Sequence, residues 1–153
     1  MLKQRFFMKA VLPLFVFLLV ASWSASTAVA QEKKSLYQRL GGYDALAAVT
    51  DDFIGRLAAN KQLARFFPGL SDDSKAKLRQ HVLNLLCQTT GGPCIYTGRD
   101  MKTTHKGLGI TEADWDTSVK DLIATLEKFK VPKPESDEVL AAISGLKKDI
   151  VEK

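Results

Sequence analysis

The sequence predicts an all-α domain, on three observations. Apolar residues recur three and four positions apart in successive long stretches. Nowhere do apolar and polar residues alternate for long enough to make a strand. Glycine pairs and a Pro-Gly step fall between the periodic stretches, where helices should end.

In chain order, Ser35 to Leu40 reads as a short helical start that stops at Gly41-Gly42. Tyr43 to Ala59 is a helix with Leu46, Val49, Phe53, Ile54 and Leu57 along one face. Lys61 to Phe67 adds one or two turns, ended by Pro68-Gly69. Ser71 or Asp72 suits the N-cap of a helix running to about Thr90, before Gly91-Gly92. Leu78, His81, Val82, Leu85 and Leu86 share its apolar stripe. Gly91 to Arg99 has no periodicity and is a loop; Met101 to His105 is helix-like and runs into Gly107-Leu108-Gly109. Thr111-Glu112-Ala113-Asp114 resembles a capping box and opens a long helix. Its stripe is Trp115, Val119, Leu122, Ile123, Leu126 and Phe129. Val131-Pro132-Lys133-Pro134 breaks the pattern, and Ser136 starts a last helix with Val139, Ile143, Leu146 and Ile150 inside. No internal repeat, low-complexity segment or linker interrupts this single domain.

Residues 1–30 stand apart. Lys3, Arg5 and Lys9 form a basic start, Ala10 to Ala21 is apolar apart from Pro13, and Ala28-Val29-Ala30 matches a signal-peptidase site before Gln31. The competing reading is an uncleaved membrane anchor, but the apolar run falls short of the ~20 residues that span a bilayer. The expectation is therefore a signal peptide at 1–30, a mature domain at 31–153, and export to the periplasm or the medium. No cysteine near the cleavage point suggests a lipid anchor. Cleavage takes three of the 22 Lys and Arg and none of the 17 Asp and Glu, so the net charge falls from +5 to +2. The basicity belongs largely to the signal. Nucleic acid is not an expected partner, nor is a membrane after cleavage.

Cys87 and Cys94 both lie in the mature part. In an exported chain a close pair reads first as a disulfide; the alternative is two free thiols. C-x-x-C-H is absent, which excludes the usual thioether attachment of a c-type haem. Six residues between the cysteines and no nearby third ligand make a poor zinc site.

His81 and His105 are the only histidines in the chain. One is set on an apolar helical stripe and the other ends a short helix. A neutral imidazole presented into an apolar slot is how proteins hold haem iron from one side, and two on separate elements could hold it from both.

Leu36-Tyr37 with Leu40-Gly41-Gly42, Phe53, Phe66-Phe67, Gly91-Gly92-Pro93, Tyr96-Thr97-Gly98, and Met101 through His105-Lys106-Gly107-Leu108-Gly109-Ile110 occur in that order. In order and spacing they resemble the truncated haemoglobins, group 1 most closely, over about residues 36–150. The resemblance implies a two-over-two helical sandwich around haem b, with His105 as the proximal iron ligand. It implies that Phe67 packs on the haem face. Tyr96, Arg99 and Lys102 become candidates for the propionates, since phenolic and cationic donors favour a carboxylate; a merely solvated side chain is the rival reading of each. Some relatives carry a histidine in the last helix that links covalently to a haem vinyl group, and this chain has none there.

The departures bear on function. The family usually places a tyrosine after the Phe53 position, with its hydroxyl toward the bound ligand; here that residue is Ile54. Leu78 and Val82 occupy the two usual polar positions of the distal helix. Such a pocket lacks donors that retain dioxygen. The one polar group on that face is His81, and in some relatives a histidine there binds the iron when no gas is present. The expected function is reversible binding of a diatomic gas (oxygen, nitric oxide or carbon monoxide), with His81 as a displaceable sixth ligand. The alternative is an exported bis-histidyl electron carrier or redox and gas sensor. Either needs a reductase or other electron partner that the sequence does not name. Nitric oxide dioxygenation or peroxide reduction is less favoured, because the distal side offers no donor to a transition state.

Overall fold

The structure is a computed structural model that describes residues 33–153. The expected signal segment at 1–30 lies outside the described residues. Ser35 caps α1 (Leu36–Arg39) reciprocally: its hydroxyl accepts from the Gln38 N–H, and the Gln38 side-chain oxygen accepts from the Ser35 N–H. Gly41 and Gly42, at φ of 98° and 78°, reverse the chain into α2 (Gly42–Ala59). A single 3-10 turn at Ala64–Phe66 leads to α3 (Asp72–Thr89), capped by the Ser71 hydroxyl on the Ser74 N–H. The short α4 (Met101–His105), then α5 (Glu112–Lys128), α6 (Lys133–Ser144) and α7 (Lys147–Ile150) follow.

Three boundaries differ from expectation. The last long helix starts at Lys133 rather than Ser136, because Pro134 falls in its first turn, where a missing N–H leaves nothing unbonded. It ends at Ser144, so Leu146 and Ile150 belong to the turn around α7. Phe129, expected on the stripe of α5, is its C-cap and is 39% exposed.

The α2–α3 pair lies over the α5–α6 pair, with α2 packed against both α3 and α5. This is the two-over-two sandwich. Val49, Leu122, Leu126 and Val139 form one buried cluster and Leu46, Leu83 and Cys87 another. Each fully buried aliphatic side chain contributes about 1.5–3 kcal/mol. Between the clusters lies an apolar cavity of about 110 Å³, lined by Leu46, Val49, Leu86, Leu122 and Leu126 among others; neither histidine borders it.

Two carboxylates, Asp52 half-buried and Asp114 buried, join the layers. Asp52 of α2 accepts from Lys128, Arg56 and Thr125, and these donors, Lys128 first, hold its pKa down to about 2. Asp114 accepts from Gln62, Arg65 and both the N–H and hydroxyl of Thr111. The capping box foreseen at Thr111 is present, and the same aspartate ties α5 to the segment after α2. No helix among the described residues is long and apolar enough to cross a membrane.

Candidate haem site

The face of α3 divides in two. Leu83, Leu86 and Cys87 are buried toward α2, whereas Leu78, His81, Val82 and Leu85 stay half-buried beside them. A hundred degrees per residue separates these stripes. Ile54 and Phe67 are half-buried too, and Phe53 packs against the Val49 cluster.

At the carboxyl end of α3 a disulfide joins Cys87 to Cys94, which resolves the two readings of that pair in favour of the bridge. Gly92 lies under it: a Cβ there would come within 2.5 Å of the Tyr37 ring and 2.7 Å of the Cys87 sulfur. Gln88 takes up the Tyr96 N–H with its side-chain oxygen at 2.6 Å. The Tyr96 ring folds over Gly98, whose Cβ would lie 2.3 Å from the phenolic oxygen, and the hydroxyl donates to the Arg99 carbonyl at 2.6 Å. Burial raises the Tyr96 pKa, a hydrogen bond with Thr104 opposing it. So held, the ring meets His81 edge-on, with centroids 6.0 Å apart and planes at 71°. The Nδ1 atom of His81 is buried and has no hydrogen-bond partner. That is an expensive state for an imidazole nitrogen with nothing to bind.

His105 is held differently. Asp100 caps α4 through the Thr103 N–H at 2.8 Å. The His105 Nδ1 lies 2.7 Å from the Met101 carbonyl oxygen. A carbonyl can only accept, so Nδ1 carries the proton and Nε2 keeps its lone pair free for a metal. Lys102 and Arg99 are exposed nearby in sequence.

The structure thus brings His81 and Tyr96 into contact and ties Tyr96 to Arg99. His105 and Lys102 share α4. Three contributors carried no functional signal in the sequence: Gln88, the Met101 carbonyl and Glu152. The carboxylate of Glu152 accepts the N–H groups of Gly107 and Gly109 just beyond His105.

Comparison with known proteins identifies the family and the fold. A family model described as "Bacterial-like globin" matches residues 35–152. The chain is 34% identical over 119 residues to the group 1 truncated haemoglobin of Mycolicibacterium paratuberculosis, covering 78% of this chain and 85% of that protein. The chain belongs to the truncated haemoglobins. The group 1 truncated haemoglobin of Synechocystis is 35% identical over 115 residues, covering 72% of this chain and 90% of that one. Among solved structures, the ferric truncated haemoglobin of Tetrahymena pyriformis superposes with a TM-score of 0.71 at 27% identity, over 78% of this chain and 100% of that one. The 2/2 haemoglobin of a Synechococcus, solved in the cyanomet state with covalently attached haem, gives the same score, identity and coverage. Truncated haemoglobins are globins, and globins bind haem, usually haem b, and through it diatomic gases.

Proposed function

We propose that the chain is an exported truncated haemoglobin in which His105 and His81 hold the iron of haem b, and a diatomic gas enters by displacing His81. The observation that carries this reading is the hydrogen bond from His105 Nδ1 to the Met101 carbonyl, which leaves Nε2 as a metal-ligating atom. When bound, haem b supplies an iron centre that takes oxygen, nitric oxide or carbon monoxide reversibly.

The residues present fit that group. The Met101 carbonyl fixes the tautomer of His105 and raises its basicity as a ligand. His81 has a buried, unpartnered Nδ1, and Leu78 and Val82 on its own stripe, like Ile54 of α2, carry no donor or acceptor side chain. Tyr96 restricts the tilt of that ring from one side. Its hydroxyl proton is committed to Arg99, so the cations of Arg99 and Lys102 are the better propionate partners. Apart from the displaced His81 itself, no side chain there donates to a bound gas, so retention on the distal side is weak. Binding rather than oxidative turnover therefore suits this pocket.

His81 also supports a second reading, an electron carrier or redox sensor, since two imidazoles would keep the metal environment alike in both oxidation states. Either use requires a separate electron donor. Export is supported by the order of basic, apolar and Ala-x-Ala regions in residues 1–30, and by the disulfide, a bond at home in oxidising compartments.

Titrating wild type and His105→Ala with haem tests the proximal assignment. Wild type should give a Soret band at one haem per chain, and the variant should lose most of it. Full-strength, stable haem binding by His105→Ala would refute it.

A further inference from the structure

An isolated helix needs about 12–15 residues to be even marginally stable in water, so α4, with five, takes its position from what flanks it. Asp100 holds its first turn. The other flank, leading away from His105, is held from the far end of the sequence. Glu152 engages both carboxylate oxygens there: Oε1 accepts the Gly107 N–H and Oε2 the Gly109 N–H, each at 2.6 Å. The two glycines have φ of 83° and 65°, a backbone that other residues rarely adopt and that lets their N–H groups converge on one carboxylate. Backbone bonds extend the contact. The N–H groups of Glu152 and Lys153 both donate to the Ile110 carbonyl, and the Glu112 N–H donates to the Lys153 carbonyl. The turn α7 packs on α4, and Lys147 pairs with Glu112.

The backbone bonds alone would dock residues 151–153. Within residues 106–109 the Leu108 N–H donates to the His105 carbonyl, and the Glu152 carboxylate adds the two bonds that tie Gly107 and Gly109 to residue 152. We propose that Glu152 is a positioning residue for the proximal imidazole: seated on the Gly107 and Gly109 amides, its carboxylate fixes the orientation in which His105 presents Nε2. This rests on the assignment of His105 as the iron ligand. A carboxylate offers acceptor oxygens to both amides, whereas a glutamine side chain offers one oxygen and must turn a donor toward the other amide. Glu152→Gln should therefore retain part of the effect and Glu152→Ala none.

Three readouts test it. In the apoprotein, amide exchange at Gly107 and Gly109 should accelerate about tenfold in Glu152→Ala, as expected for losing a hydrogen bond to a charged group, and less in Glu152→Gln. In the haem-loaded ferrous protein, carrying His81→Leu so that one imidazole remains, the iron–histidine stretching band should shift and broaden in the order Ala, Gln, wild type. Haem transfer to a scavenging apoprotein should quicken in the same order. Faster amide exchange with an unmoved iron–histidine band would make Glu152 a structural tether only and overturn the proposal. So would unchanged exchange in both variants. An iron–histidine band that survives His105→Ala would sink the proximal assignment itself, a separate and recognisable result.

Discussion

Asp114 is a residue whose surroundings set both its charge and its worth. It is 2% exposed, yet it accepts hydrogen bonds from the Gln62 amide, the Thr111 N–H and hydroxyl, and the Arg65 guanidinium. These donors, Gln62 first, bring its pKa from 3.8 down to about 2. A carboxylate with a depressed folded pKa stabilises the fold fully above its unfolded value, and that contribution fades as pH falls through the folded one. Stability should therefore drop between about pH 4 and pH 2. Asp114→Asn should cost about 2–3 kcal/mol at neutral pH, because an amide turns donors toward donors, and should flatten part of the acid slope. Asp52 titrates in the same window, so some slope will remain. Urea midpoints of both proteins between pH 2 and pH 7 check this; equal midpoints at neutral pH would show that Asp114 is not an anchor. At the same scale, His105 and His81 are opposites: one ring nitrogen has a carbonyl partner and the other has none.

Among the elements, the stretch between α3 and α4 carries the most consequence for its length. The Cys87–Cys94 bridge, Gln88 and Gly92 together hold Tyr96 against the helix that bears His81. Closing the eight-residue loop should stabilise the fold by about 2.5 kcal/mol on the loop-entropy estimate. Denaturation with and without reductant should show a midpoint lowered to match, and coincident curves would refute the estimate. Much of this level was legible in the sequence. The 3.6-residue period marks α2, α3 and α5; Thr111 marks the cap of α5, and of the two candidates Ser71 and Asp72 it is the Ser71 hydroxyl that caps α3. Pro134 misled, since proline stops a helix from within but is welcome in its first turn. The reach of α6 to Ile150 was overdrawn, since the chain turns at Gly145. Glu152 could not have been found at all: the amides it binds lie 45 and 43 positions away, and nothing local marks it. The apolar character of Ile54, Leu78 and Val82 was plain from register, but the loneliness of His81 Nδ1 was not, because it depends on what the Tyr96 loop lays beside it.

For the whole molecule, the sandwich leaves its two histidines on different elements, α3 and α4, with the disulfide-pinned stretch between them. Export is part of the same account: in protein recovered outside the cytoplasm the mass should begin at Gln31, and a mass that retains residues 1–30 would contradict cleavage. The central claim, that both imidazoles hold the iron at rest, is tested most directly by the ferric spectrum of the haem-loaded protein at neutral pH, optical and paramagnetic resonance together. Wild type should be six-coordinate and low-spin. His81→Leu should turn high-spin with its haem content nearly unchanged, and carbon monoxide should then bind its ferrous form faster. A wild-type ferric spectrum that is already high-spin, with water on the iron, would show that His81 stands beside the haem without binding it.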